Sequence, residues 1–406
     1  MGQLIIKGNK RLSGEITVGG SKNAALPIIF SCIIMRGRSR IDNLPDITDV
    51  EVALRILECF GARVTRLGSS ALIDTDDLYY TDPPEELVSE IRASSYLIGA
   101  CLSRFRRARL QSFGGCKFDQ RPIDMHINAA MTHGAALIGD ALYSDKLVGS
   151  VVCFDKISVG ATVNAILLAA SAQGESRIYG FAREPHIMAL IDFLRSAGAE
   201  IAVNDEYVSV VGRELYSGYA DVIPDMIEAG TYLALSVATG SDLKVIGADL
   251  VALKSFADTL LPSGISFESC DDRTVAVGTP SKPIFVTALP YPEFPTDLQP
   301  ITAPLMALGY GGVIRDLVWK NRFGYLTELS RLGVEYELYD GYAKIKGSRI
   351  HSAEATALDL RGGASLIIAA LAAEGESVIN SSELIRRGYG DIVNKLRLVG
   401  ADISEI

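Results

Sequence analysis

Six stretches of the 406-residue chain set charged side chains among small ones just ahead of long apolar runs. They are Gly20-Ser-Lys22-Asn23, Arg92-Ala-Ser-Ser95, Lys156-Ile157-Ser158-Val159-Gly160, Glu228-Ala-Gly-Thr231, Thr296-Asp297 and Asp359-Leu-Arg361-Gly-Gly363. A charge at the mouth of an apolar helix is expensive unless it faces water or a ligand. The same mouth offers free N–H groups and a positive dipole end, which together attract anions. Ser, Asn and Asp also serve there as N-caps, and capping accounts for about half of these residues. It does not account for Lys22, Arg92 or Arg361, because cations are disfavoured at that end.

The stretch Phe113-Gly-Gly-Cys116-Lys-Phe-Asp-Gln-Arg121-Pro122-Ile123-Asp124 differs in kind. Its paired glycines predict a flexible loop, and Cys116 has polar neighbours. Lys117 and Arg121 would lower the thiol pKa and favour thiolate. A functional cysteine and a plain loop cysteine are equally good readings of this segment alone. Cys32, Cys59, Cys101 and Cys153 sit in apolar contexts, which predicts reduced core thiols.

The elements that must hold these residues repeat. A phrase of amphipathic helix end, glycine and β-like run recurs around Gly61, Gly134, Gly198, Gly264, Gly333 and Gly400, at intervals of about 64 to 73 residues. The glycine supplies the left-handed cap that ends a helix and turns into a strand. Each unit also opens with a helix apolar nearly all round, as in Ala24–Met35 and Ser365–Ala373, which predicts burial on every side. Amphipathic helices such as Ile187–Ser196 and Ile392–Leu398 would cover the outside. Strands such as Arg177–Tyr179, Glu200–Val203 and Ser377–Ile379 would fill the spaces between. One unit cannot comfortably close a core, whereas three about a local threefold axis can. The expectation is two similar α/β domains joined near Val222–Pro224. If the repeats are related by symmetry, facing openings would form a cleft lined by Lys22, Arg92, Arg121, Arg361 and Arg387.

Composition narrows the function. Lys and Arg number 39 against 49 Asp and Glu, a net charge of −10, which argues against a nucleic-acid binder. Focused arginines can still attract a small anion. No apolar run reaches the ~18 residues of a membrane span, and the N-terminus has no basic leader ahead of an apolar segment. A cytoplasmic protein is expected, without membrane insertion or an obligate protein partner. The four histidines lack metal-site spacing, and GxSxG, Walker and GxGxxG motifs are absent.

Taken together, Gly20-Ser-Lys-Asn-Ala-Ala-Leu-Pro27, Arg92-Ala-Ser, Gly114-Gly-Cys through Arg121-Pro-Ile-Asp-Met-His126, Ser158-Val-Gly-Ala-Thr162, Arg183-Glu-Pro185, Phe294-Pro-Thr-Asp-Leu-Gln299, Asn321-Arg-Phe323, Asp359-Leu-Arg361 and Arg387-Gly-Tyr389 give the chain a likeness along essentially its whole length. It resembles the UDP-N-acetylglucosamine 1-carboxyvinyltransferases of the enolpyruvyl transferase family. The resemblance implies two inside-out α/β barrel-like domains, each of three βαβαββ-type repeats about a pseudo-threefold axis. Residues 21–221 would form one domain. Residues 1–20 plus 222–406 would form the other, with the active-site cleft between them. It implies transfer of the enolpyruvyl group of phosphoenolpyruvate to the 3′-hydroxyl of UDP-N-acetylglucosamine, releasing phosphate, with no metal or organic cofactor.

By the same resemblance Cys116 would be the proton donor or product-release residue and Asp297 the base near the 3′-hydroxyl. Lys22, Arg121 and Arg387 would hold phosphate and Arg361 the carboxylate, since a guanidinium fork suits planar oxyanions. Asn23, Arg92, Pro122, Ile123, Asp124, Met125, Lys156, Ile157, Ser158, Val159, Val318 and Asp359 would line the substrates, with Arg322 on the cleft wall. Asp297 and Asp359 also read as N-caps, and Arg92 as a surface arginine. Met226, Arg386, Asp119 and Glu293 depart from the family pattern. They leave open a divergent paralogue that binds UDP-sugar as a sensor. A shikimate-pathway enolpyruvyl transferase fits less well, because it usually opens Gly-Ser-Lys-Ser and lacks the Gly-Gly-Cys loop.

Overall fold

The computed structural model describes residues 2–114 and 122–406. The chain divides into two compact units, Gly20–Ile223 and Met1–Gly19 with Pro224–Ile406. Each has its own hydrophobic core.

In the unit Gly20–Ile223 the inner helices are Lys22–Ser31, Leu97–Phe105 and Val159–Ala170. Every residue from Ala161 to Ala170 is buried, as an all-apolar surface demands. The outer helices Thr48–Cys59, Asp124–Thr132 and Pro185–Ser196 are one-faced. In the last, Ile187, Leu190, Ile191 and Leu194 point inward at helical spacing and the opposite face is wet. Three small sheets complete the unit. One orders Tyr219–Asp221, Arg38–Asp42, Ser70–Asp74 and Arg63–Leu67. A second orders Arg107–Arg109, Ala141–Tyr143 and Ala136–Ile138. The third orders Glu200–Val203, Tyr207–Val211, Glu175–Tyr179 and Val151–Cys153.

The unit Met1–Gly19 with Pro224–Ile406 repeats this plan with inner helices Met226–Thr239, Gln299–Leu308 and Leu360–Ala372 packed on one another. Its outer helices are Lys254–Leu260, Tyr325–Arg331 and Ile392–Leu398. Two of its three sheets use the N-terminus. Gln3–Lys7 lies antiparallel between Glu376–Asn380 and Asp402–Glu405. Ser13–Thr17 lies parallel to Asp242–Ile246. Helices inside and sheets outside make both units inside-out α/β domains.

The six repeat glycines all adopt positive φ, between +90° and +100°. At five of them the following N–H reaches back five residues, as Ala199 does to Leu194. That is the six-to-one bond of a left-handed helix end. The repeat openings divide into two kinds. Four inner helices are capped by side chains, those of Ser21, Ser158, Asp225 and Asp359. The other two, the second of each unit, are entered through 3₁₀ turns, Arg92–Tyr96 and Thr296–Leu298.

One expectation needs correcting. Cys32 and Cys101 are buried and Cys59 is half-buried, but Cys153 is exposed. It ends the edge strand Val151–Cys153, where alternation turns Val152 inward and Cys153 out. Among the described residues, no helix is long and apolar enough to cross a membrane.

Candidate active site

In the unit containing Pro224–Ile406 the polar residues converge on Asp297. The 3₁₀ turn Thr296–Leu298 presents its carboxylate, and neither that turn nor the following helix is capped by a side chain. Asp297 is therefore not an N-cap. Its Oδ1 accepts from Arg322 Nη1 at 2.7 Å and its Oδ2 from Arg361 Nε at 3.2 Å. Both arginines are buried, with side chains 4% and 1% exposed, while the Asp297 side chain is 28% exposed. The carboxylate is the solvent-facing part of the cluster.

Each arginine is held from behind. Arg322 Nη1 also donates to Thr296 Oγ1, which donates to Asp316 Oδ2 at 2.6 Å. Asp316 Oδ1 accepts the N–H groups of Val318 and Trp319 and so fixes the Val318 backbone. Burial works against the Arg322 charge, but Asp297 and Asp359 outweigh it and raise the pKa. The Arg361 guanidinium lies over the Tyr389 ring at 5.1 Å, and the Tyr389 hydroxyl bonds Thr231 Oγ1 at 2.8 Å. Among the described residues, Arg361 Nη1 is buried with no hydrogen-bond partner. A guanidinium held this way can offer a further N–H to an oxyanion. Asp359 is the cap of its helix, accepting from the Arg361 and Gly362 N–H groups.

Arg387 is half-buried just beyond the short helix Ser382–Ile385. Its neighbour Arg386 ion-pairs with Glu405. Met226 opens its helix and packs part of its side chain on the core, where an arginine would carry charge. Glu293 is exposed.

In the unit Gly20–Ile223, Lys22 begins the first inner helix and is 9% exposed. Its Nζ is 2.7 Å from Oδ2 of Asp49, itself buried in the first turn of the next helix. Asn23 and Arg92 are half-buried, and Arg92 opens the 3₁₀ turn. Pro122 and Asp124 are exposed, and Ile123 and Met125 half-buried, about the start of Asp124–Thr132. Lys156 and Ile157 are exposed, Val159 is half-buried, and Ser158 caps its helix by accepting from the Ala161 N–H at 3.3 Å. An apolar Ile157 side chain 44% exposed beside polar neighbours suits contact with a ligand's flat face. Cys116, Arg121 and Asp119 lie outside the described residues.

Sequence reasoning gave no role to the supporting residues Asp49, Asp316, Thr231, Tyr389, His126 and Asn164, although Thr231, Tyr389 and His126 stand in stretches it singled out. Asn164 had left a signal, as the one amide within the apolar helix Val159–Ala170. The others look in sequence like ordinary caps and core residues.

Residues 6–396 match the family model for EPSP synthase (3-phosphoshikimate 1-carboxyvinyltransferase). The chain is 38% identical, over the whole of both sequences, to UDP-N-acetylglucosamine 1-carboxyvinyltransferase 3 of Caldanaerobacter subterraneus subsp. tengcongensis. It is 37% identical, again over the whole of both, to UDP-N-acetylglucosamine 1-carboxyvinyltransferase of Clostridium botulinum. Among solved structures, the enolpyruvyl transferase NikO from Streptomyces tendae superposes with a TM-score of 0.90 at 27% identity, covering 100% of this chain and 99% of that one. EPSP synthase from Acinetobacter baumannii shares the fold over the full length of both chains, with a TM-score of 0.74 at 15% identity. Full-length agreement with both groups makes this chain a member of the UDP-N-acetylglucosamine 1-carboxyvinyltransferases, enzymes of the enolpyruvyl transferase fold.

Proposed function

We propose that this chain transfers the enolpyruvyl group of phosphoenolpyruvate to the 3′-hydroxyl of UDP-N-acetylglucosamine, in the cytoplasm, as the first committed step of peptidoglycan precursor synthesis. The observation that carries this reading is the Arg322–Asp297–Arg361 cluster. It combines a carboxylate able to take a proton with buried guanidinium groups able to hold an oxyanion.

In the proposed reaction C3 of phosphoenolpyruvate gains a proton, which makes C2 electrophilic. The 3′-hydroxyl loses its proton to Asp297 as its oxygen bonds to C2, giving a tetrahedral adduct. A proton then leaves C3, the bond from C2 to the phosphate oxygen breaks, and phosphate departs. Arg361 holds the substrate carboxylate, while Lys22, Arg121 and Arg387 hold the phosphate. Cys116 donates the proton to C3 or assists product release. Asn23, Arg92, Asp124 and Lys156 to Val159 in one unit, and Val318 with Arg322 in the other, line the substrates. Asp359 supports this set as the cap that orients Arg361.

The test is phosphate release by the purified protein given both substrates, beside a binding titration of UDP-N-acetylglucosamine alone. Release that requires both substrates supports the transferase. Binding without release favours the sensor and turns attention to Met226 and Arg386. Cys116→Ser should greatly slow product formation, and undiminished turnover would remove the cysteine from the mechanism.

A further inference from the structure

In the unit Gly20–Ile223 a single buried amide joins three segments that the proposed function assigns to substrate binding. Asn164, fully buried, lies midway along the apolar helix Val159–Ala170. An amide in such a place costs a few kcal/mol unless its hydrogen bonds are made. Its Oδ1 accepts the Gly99 N–H at 2.5 Å. Its Nδ2 faces the Ser95 carbonyl at 3.2 Å, the Gly160 carbonyl at 3.1 Å and His126 Nδ1 at 2.8 Å. Ser95 and Gly99 flank the junction where the 3₁₀ turn begun by Arg92 passes into the helix Leu97–Phe105. His126 is on the helix Asp124–Thr132, and Gly160 is in the first turn behind Ser158.

The packing leaves no slack at this junction. A Cβ at Gly99 would sit 2.8 Å from Asn164 Oδ1 and 2.9 Å from the Asn164 carbonyl. A Cβ at Gly160 would sit 2.7 Å from the His126 ring. The hydrogen-bond pattern also fixes the protons. A backbone N–H can only donate, so the amide atom facing Gly99 is the oxygen and the one facing His126 is the nitrogen. His126 Nδ1 therefore accepts, and the imidazole is neutral with its hydrogen on Nε2.

We infer that Asn164 is a positioning residue for nucleotide-sugar binding. Acting through His126 and the Ser95–Gly99 junction, it sets Arg92, Asp124 and Ser158 in register. The inference rests on the proposed function for the identity of the ligand, but its geometry stands apart from it. Among the described residues, Arg92 and Asp124 are the charged groups that act on His126. Burial first and Arg92 second hold its pKa down to about 4, against the opposing pull of Asp124.

Asn164→Asp is the discriminating variant. It keeps the acceptor for Gly99 but sets an oxygen against His126 Nδ1 and against the Ser95 and Gly160 carbonyls, so the imidazole must carry a hydrogen on Nδ1 and the two carbonyls lose their donor. The dissociation constant for UDP-N-acetylglucosamine should be about tenfold higher in the variant than in the wild type at neutral pH. A ratio near one in the folded variant overturns the inference, as does unchanged binding by a folded Asn164→Leu protein. Nitrogen-15 NMR of His126 in the wild type provides a readout independent of activity. A bare Nδ1 and a protonated Nε2 at neutral pH are expected, and a protonated Nδ1 refutes the geometry. If neither protein binds the nucleotide sugar, the proposed function fails, and the imidazole spectrum alone decides this inference.

Discussion

Asp297 has two tasks that pull against each other. As a proposed base it must take a proton, yet between two buried guanidinium groups it is stabilised as a carboxylate. The cluster makes Asp297 the counter-charge that Arg322 and Arg361 share, beside Asp359 for the first and Tyr389 and Asp225 for the second. Asp297→Asn should abolish turnover and lower stability by about 3 kcal/mol, because two buried cations lose their neutralising partner. Added phosphate should restore part of that loss by binding the native state. Denaturation midpoints with and without phosphate would check this, and an unshifted midpoint would show that the arginines are neutralised by other groups. The sequence made Asp297, Arg322 and Arg361 each visible as a charge in a suspicious place. It did not show their pairing, because the partners are 25 and 64 residues from Asp297 along the chain. Asp359 is the contrary case, in which the bland reading as a cap describes its bonds.

The helix ends were the most legible elements, because a Schellman cap is local and its glycine follows a recognisable phrase. The two 3₁₀ entrances were not legible, because a tight turn leading into a helix leaves the apolar pattern unchanged. Nor was the exposure of Cys153, since a three-residue edge strand is too short for its alternation to be read. The caps separate conformational from steric cost. At Gly198, φ is +100° and nothing lies within 4 Å of an added Cβ. Gly198→Ala should therefore cost only the left-handed penalty of about 1–2 kcal/mol. At Gly333 the same Cβ would sit 2.5 Å from the Arg349 carbonyl and 2.9 Å from the His351 ring. Gly333→Ala should lose clearly more stability in urea denaturation. Equal losses would mean that the backbone there gives way at no cost.

At the scale of the molecule, acid should destabilise the native state through its buried histidines. His126 is held down to about 4, by burial and Arg92 against Asp124, from an ordinary value of 6.5. His133 is shifted the same way by burial, against the Ala129 carbonyl bond. The unfolded chain binds protons that these native imidazoles refuse, so stability is full above pH 6.5 and falls as pH drops towards 4. The His126 share of the loss is about 3 kcal/mol. His126→Phe should flatten that slope in denaturation measured between those limits, and an unaltered slope would assign it to the carboxylates.

The N-terminal strand bears on biosynthesis. Gln3–Lys7 is synthesised ahead of the whole of Gly20–Ile223, yet both its neighbours, Glu376–Asn380 and Asp402–Glu405, follow that unit. Gly20–Ile223 contains every strand of its own sheets and can finish folding while that leading segment still has two open edges. Lys7, Lys10 and Arg11 place charge where a premature partner would dock. The Gln3 and Ile406 backbones already bond each other at 2.9 and 3.0 Å, so a short linker joining these two residues needs no rearrangement. A circular permutant opened between Ile223 and Pro224 would translate the split unit as one continuous piece. It should aggregate less during synthesis than the natural order, in which Gln3–Lys7 waits for strands made after the whole of Gly20–Ile223.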